Sequence, residues 1–146
     1  MAERTELGVL QHLIDICLDG ERGFSAAADY VDNPGLQGLF RDLATQRKRF
    51  ADELLPHLQR LGGRPDDGSG VATLHRGWMR MKGLVPGRHD HAIVVEAERG
   101  EQAAFDAYQE ALSGLLPPTV SELVETQRDA ITVATDRIRA IDMGYA

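Results

Sequence analysis

The sequence has a single cysteine and no long apolar run. Cys17 cannot form a disulfide bond within the chain, so we expect a protein of a reducing compartment. No apolar run approaches the roughly 18 residues that a membrane span needs, and the first residues lack the apolar core of a signal peptide. We therefore expect a cytoplasmic protein that does not associate with membranes.

Positive charge is scarce as well. The chain has 16 Lys and Arg against 23 Asp and Glu, a formal net charge of −7. This balance argues against a protein that binds nucleic acids or anionic membranes. The sequence also lacks a catalytic triad, a phosphate-binding glycine loop, a Cys-x-x-Cys pair and the paired acids of a hydrolase. These absences favour a protein that is not an enzyme, without deciding the matter.

What the sequence does contain is helical periodicity. Apolar residues recur at spacings of three and four along four long segments, the pattern of helices that each bury one face. The predicted helices cover approximately residues 5–31, 34–61, 90–115 and 120–141. No convincing strand pattern appears. The sequence therefore predicts an all-α protein that forms one domain across residues 1–146.

The connections between the predicted helices indicate their directions. Short turns at Asp32-Asn33-Pro34 and at Pro117-Pro118 require antiparallel neighbours. The connection over about residues 62–89 is long enough to recross the bundle, and Trp78 is expected to anchor a short extra helix within it. Helices 2 and 3 would then run parallel. The predicted fold is a ferritin-like four-helix bundle with a long crossover between helices 2 and 3.

Several short motifs support this fold by resemblance. They are Asp19-Gly20-Glu21-Arg22-Gly23-Phe24, Gln46-Arg47 with Phe50, Leu61-Gly62-Gly63, Leu74-His75-Arg76-Gly77-Trp78, Glu98-Arg99-Gly100-Glu101 and the region of Tyr108. In this order they resemble a bacterial ferritin-like four-helix-bundle family known only as a domain of unknown function. The likeness extends over roughly residues 7–141. It implies a ferritin-like fold and no established activity.

Glu21 raises the question of function. It falls in the gap between the apolar residues Cys17 and Phe24, so the periodicity predicts a carboxylate that faces the core. A buried carboxylate must be paired with a positive charge, bind a metal or be protonated, because burial disfavours the charged form. The partner of Glu21 therefore decides between two hypotheses.

The first hypothesis is a centre for iron or another divalent metal, in an iron-binding protein or a di-iron oxidase. Ferritin-like centres take one Glu from each of two helices and Glu-x-x-His from each of the other two. Glu21 can provide one ligand, and Glu98 and Glu101 share a helix face. The remaining ligands are missing, because none of the five histidines has a glutamate three residues before it.

The second hypothesis, which we favour, is a buried polar layer without a cofactor. Arg47 or Arg49 would neutralise Glu21, and a guanidinium at this place would repel a metal cation. Gln127 interrupts the apolar face of helix 4 at the same level. The predicted layer consists of Glu21, Gln46, Arg47, Arg49, Glu98, Glu101 and Gln127. Small-molecule binding in the bundle core is a third hypothesis.

Two surface features are also candidates for binding. Glu53 and His57 are four residues apart on helix 2. They can bind a metal at the surface, but the simpler interpretation is a pair of neighbouring side chains on one helix face. Asp90 is expected to cap helix 3. The crossover and its flanks concentrate the cations Arg60, Arg64, Arg76, Arg80, Lys82 and Arg88. This basic segment is either the solvated face of an amphipathic helix or a docking site for an acidic protein or an anionic ligand.

The sequence thus predicts an accessory or stress-related interaction protein. A homodimer is expected from the prevalence of two-fold symmetry among helical bundles rather than from any residue of this chain.

Overall fold

A computed structural model describes residues 5–64, 89–114 and 116–144, and nearly all of them belong to four α-helices. These are α1 (Glu6–Tyr30), α2 (Pro34–Arg60), α3 (Asp90–Ala111) and α4 (Pro118–Met143). No β-strand occurs in the described residues. The prediction of an all-α protein with four long helices is confirmed. The predicted short helix around Trp78 lies outside the described residues.

The first two helices begin at side-chain caps that the sequence specifies. The hydroxyl oxygen of Thr5 accepts a hydrogen bond from the Gly8 N–H at 2.9 Å, and Asn33 Oδ1 accepts one from the Leu36 N–H at 3.1 Å. Pro34 occupies the first position of α2, where its missing N–H costs nothing. The turn between α1 and α2 is therefore short, and the two helices pack antiparallel along their length.

Contacts at the helix ends set the direction of α3. The Asp90 carboxylate accepts hydrogen bonds from the backbone N–H groups of Asp32 at 3.0 Å and Asn33 at 3.1 Å, so α3 starts beside the α1–α2 turn. At the other end of the bundle, Arg60 Nη2 lies 3.5 Å from Glu6 Oε2. Arg60 and Asp90 thus lie at opposite ends, and α2 and α3 run parallel, as the length of their connection predicts.

Asp90 does not cap its own helix. The N-cap residue of α3 is His89, which makes no side-chain capping hydrogen bond, and its Nε2 lies 3.2 Å from the Tyr30 carbonyl oxygen. The two Asp90 oxygens are directed instead at the free N–H groups that precede α2. The capping prediction was wrong because a carboxylate at a helix start can satisfy donors of a neighbouring helix as well as its own.

The apolar core forms two clusters along the bundle axis. The cluster at the α1–α2 turn contains Phe24 and Phe40, whose rings stack with centroids 5.9 Å apart. The cluster at the far end contains Leu54 and Ile131. Charged and polar side chains occupy the middle of the bundle between the two clusters. None of the described helices is long and apolar enough to cross a membrane.

Replacing Asp90 with alanine should lower the free energy of unfolding by about 1–2 kcal/mol, because two backbone N–H groups lose a charged acceptor. Urea denaturation measures the loss. Asp42→Ala is the matched control, since Asp42 is exposed on α2 and its removal should change stability by less than about 0.5 kcal/mol. Equal losses in both variants would show that Asp90 does not fix α3 to the turn.

Candidate functional site

Arg47 of α2 and Glu101 of α3 form a buried ion pair in the middle of the bundle. Arg47 Nη1 donates to Glu101 Oε1 at 2.5 Å and Nη2 donates to Oε2 at 2.6 Å, while the side chains are 2% and 0% exposed. Arg47 Nε donates to Gln46 Oε1 at 3.2 Å. Burial acts to lower the pKa of Arg47, but Glu101 outweighs it and the pKa is raised. Both charges are therefore compensated in place.

A glycine on α1 makes room for the guanidinium. Gly20 is buried opposite Arg47, and a Cβ atom at Gly20 would lie 3.3 Å from Arg47 Cγ. The Phe24 ring, one turn further along α1, has its centroid 5.2 Å from Arg47 Cζ, a cation–π distance. The α1 face that meets the ion pair is thus a glycine followed by an aromatic ring.

This geometry corrects the prediction for Glu21. Gly20 occupies the inward position between Cys17 and Phe24, and Glu21, one residue on and therefore rotated by about 100° around the helix, is only half-buried on the flank. There it adds to the raised pKa of Lys48, after the larger effect of Asp52. The hydrogen bonds of Arg47 go to Glu101 and not to Glu21.

A second polar network takes one side chain from each helix. The Tyr108 hydroxyl donates to Gln127 Oε1 at 2.7 Å, and Gln127 Nε2 donates to Glu53 Oε1 at 2.9 Å and to the Phe50 carbonyl oxygen at 3.3 Å. Cys17 Sγ lies 3.1 Å from the Tyr108 oxygen. Because Tyr108 gives its only proton to Gln127, the Cys17 thiol is the donor in this contact.

Burial keeps Cys17 and Tyr108, the most deeply buried titratable groups of this network, uncharged. It raises the pKa of the Cys17 thiol to about 11 and that of the Tyr108 hydroxyl well above its usual value. Both groups therefore keep their protons at neutral pH. A thiolate is the nucleophilic form of cysteine, so the arrangement holds Cys17 inert and does not activate it.

Two further residues of the predicted layer lie away from the ion pair. Arg49 is exposed, 4.0 Å from Glu53 and with its Cζ 5.5 Å from the Phe50 ring centroid. Two helix positions differ by about 200°, so an inward Arg47 requires an outward Arg49. Glu98 is half-buried at the α3–α4 contact, where its Oε2 lies 3.9 Å from Arg139 Nε.

The structure thus brings Gln46, Arg47 and Glu101 together and places Gln127 in the second network. Sequence analysis missed Gly20, Tyr108, Cys17 and Glu53 as participants. A tyrosine in an apolar face was the available signal, since a buried hydroxyl almost always has a hydrogen-bond partner. Glu53 and His57 do not face each other, because Glu53 turns to Gln127 while His57 Nδ1 lies 3.0 Å from Arg60 Nη1.

The proposed metal ligands Glu21, Glu98 and Glu101 do not converge. Both oxygens of Glu101 accept hydrogen bonds from Arg47, so a cation there would meet a guanidinium first. Within residues 5–64, 89–114 and 116–144, no three His, Cys, Asp or Glu side chains are grouped so that they could hold a metal ion. The side chains of the bundle centre therefore do not fit a dinuclear metal site.

Residues 5–114 match the family model described as a domain of unknown function, DUF2383. The chain belongs to the DUF2383 family. The match covers α1, α2 and α3, including the Arg47–Glu101 pair, and leaves Gln127 of α4 outside it. No curated protein matches the chain. The resemblance to a domain of unknown function is confirmed.

This DUF2383 protein has a further group of titratable side chains where α3 meets the end of α4. Burial and the hydrogen bond that protonated Glu98 donates to its neighbour Asp142 raise the pKa of Glu98 to about 7. The same hydrogen bond, and one from His91, lower the pKa of Asp142. His91 Nε2 lies 2.5 Å from Asp142 Oδ1. Below about pH 7, the proton between the two carboxyl groups therefore resides on Glu98.

The Glu98 pair predicts a pH dependence of stability. The folded-state pKa of Glu98 is raised from 4.5 to about 7, so its stabilising effect is full below about pH 4.5 and is lost as pH rises through 7. Asp142 contributes to the pH dependence of stability only at acidic pH, because its pKa is lowered from 3.8. Between pH 6 and pH 8, the free energy of unfolding should therefore fall less in Glu98→Gln than in the unmodified protein.

Urea denaturation at pH 6, 7 and 8 measures this difference. Part of the pH dependence should remain in Glu98→Gln, since burial also raises the pKa of Asp19 to about 7 against the opposing effect of Arg22. Glu122→Gln, an exposed substitution on α4, is the control and should keep the full dependence. An identical dependence in Glu98→Gln and Glu122→Gln would contradict the shared proton.

Proposed function

We propose that this protein is a non-enzymatic accessory protein of ferritin-like topology, in which the Arg47–Glu101 pair takes the place of a dinuclear metal centre. The observation that carries the proposal is the bidentate contact at 2.5 and 2.6 Å, which uses both oxygens of a fully buried carboxylate. A guanidinium keeps its charge at any physiological pH, so it stays paired with Glu101 and both carboxylate oxygens stay occupied.

The parallel direction of α2 and α3 supports the ferritin-like part of the proposal, since one long crossover distinguishes that topology from a simple up-and-down bundle. The protonated Cys17 and Tyr108 support the non-enzymatic part, because neither serves as a nucleophile or base at neutral pH. We place the protein in the cytoplasm, as a homodimer with a stress-related role.

The alternative of an iron-binding protein or di-iron oxidase would need Glu101 free of Arg47, and no observation favours it. Docking of an acidic protein or an anionic ligand at the basic segment also stays a proposal. Arg60 already contacts Glu6 and His57 within the described part of the chain. The cations from Arg76 to Arg88 lie outside that part.

Thermal denaturation with and without metal tests the proposal. Protein purified without chelators should contain no stoichiometric iron, and EDTA, Fe²⁺, Mn²⁺ or Zn²⁺ should leave its Tm unchanged. A metal that bound only the folded state at 100 times its Kd would add about 2.7 kcal/mol of stability, which is a readily measured shift.

Two variants make the result specific to the ion pair. Glu101→Gln removes the carboxylate that pairs with Arg47, and Glu125→Gln removes an exposed one on α4. A rise of Tm with iron in the unmodified protein that persists in Glu125→Gln and disappears in Glu101→Gln would contradict the proposal. No metal-dependent rise in any of the three proteins is the expected result.

A further inference from the structure

A cavity of about 560 Å³ opens between the beginning of α2 and the end of α4, away from the polar centre of the bundle. Leu36, Leu39 and Ile141 form its apolar wall. The volume lies within the range of about 300–1,000 Å³ that is usual for small-molecule pockets. The cavity is a broad groove that is largely open to solvent, so a small molecule can enter without any rearrangement of the helices.

Among the described residues, the polar lining of this cavity supplies hydrogen-bond donors and no carboxylate. Arg137 of α4 is exposed and makes no ion pair or hydrogen bond with other described residues. Asn33 uses its Oδ1 to cap α2, which leaves its amide nitrogen as a donor.

Two carboxylates at this end of the fold, those of Asp90 and Asp142, already have partners. Asp90 accepts from the backbone N–H groups of Asp32 and Asn33, and Asp142 is engaged with His91 and Glu98. No described carboxylate forms an ion pair with Arg137, so its positive charge is available to a ligand. A guanidinium next to an apolar wall is complementary to a molecule with an anionic head and an aliphatic chain.

We propose that this cavity binds a medium-chain aliphatic carboxylate. The carboxylate accepts hydrogen bonds from Arg137 and from the Asn33 amide nitrogen, and the alkyl chain lies against Leu36, Leu39 and Ile141. This inference concerns a different part of the molecule from the Arg47–Glu101 pair. It does not depend on the accessory role proposed above.

Two glycines of the cavity make the binding site directly observable. Gly35 and Gly144 both line it, and Gly62 lies beyond the far end of α2. In ¹H–¹⁵N NMR spectra, octanoate below its micelle concentration should shift the amide signals of Gly35 and Gly144 saturably and leave that of Gly62 in place. Affinity should rise from hexanoate to octanoate to decanoate by up to roughly fourfold per methylene group. 1-Octanol should bind about tenfold more weakly than octanoate.

Paired arginine variants identify the anionic contact. Arg137→Gln should weaken octanoate binding about tenfold, because a charge-assisted hydrogen bond is lost. Arg41→Gln, which removes a comparably exposed arginine of α2 outside the cavity, should not change it. The proposal is overturned if Gly35 and Gly144 do not respond, if affinity does not rise with chain length, or if both variants bind octanoate equally well.

Discussion

The bidentate contact between Arg47 and Glu101 is the constraint on which the middle of this bundle depends. Each charge is fully buried, and either one alone would be strongly destabilising in an apolar interior. Together they require that α2 and α3 keep a fixed register, since both hydrogen bonds are lost if one helix shifts along the other. The contact therefore acts on specificity of packing as much as on stability.

The surrounding residues follow from this contact. Gly20 leaves the space that the aliphatic part of Arg47 fills, and Phe24 offers a ring face to the guanidinium. Gln127 of α4 accepts a hydrogen bond from Tyr108 of α3 and donates one to Glu53 of α2, which is exposed. The Arg47–Glu101 pair thus lies between the two apolar clusters, and the network of Cys17, Tyr108, Gln127 and Glu53 lies within and beside the far cluster.

The sequence was sufficient for the fold because the determinants of helix position are local. Spacings of three and four, the cap at Asn33 and the prolines at residues 34 and 118 mark the helices, and the length of the connection after Arg60 indicates the parallel direction of α3. The ferritin-like affiliation itself goes beyond what these features establish and stays a proposal.

The site was predicted only in part, because pairing depends on angles and distances that periodicity does not resolve. Glu21 and Gly20 are adjacent in sequence, and a glycine is neither clearly apolar nor clearly polar. The periodicity therefore predicted Glu21 as the inward residue. Arg47 was a predicted member of the layer, but its partner depends on the register and rotation of α3 relative to α2, which periodicity does not give. Tyr108 was treated as an apolar residue of helix 3, so its hydrogen bonds with Gln127 and Cys17 were not predicted.

A double-mutant cycle on the buried pair tests this account most directly. Arg47→Met and Glu101→Met should each lower the free energy of unfolding by about 3–5 kcal/mol, because each leaves one buried charge without its partner. The double variant should be more stable than either single variant, since two apolar side chains then replace two paired charges. If a single variant does not fold, a double variant that folds gives the same answer. Losses that simply add in the double variant would contradict the account.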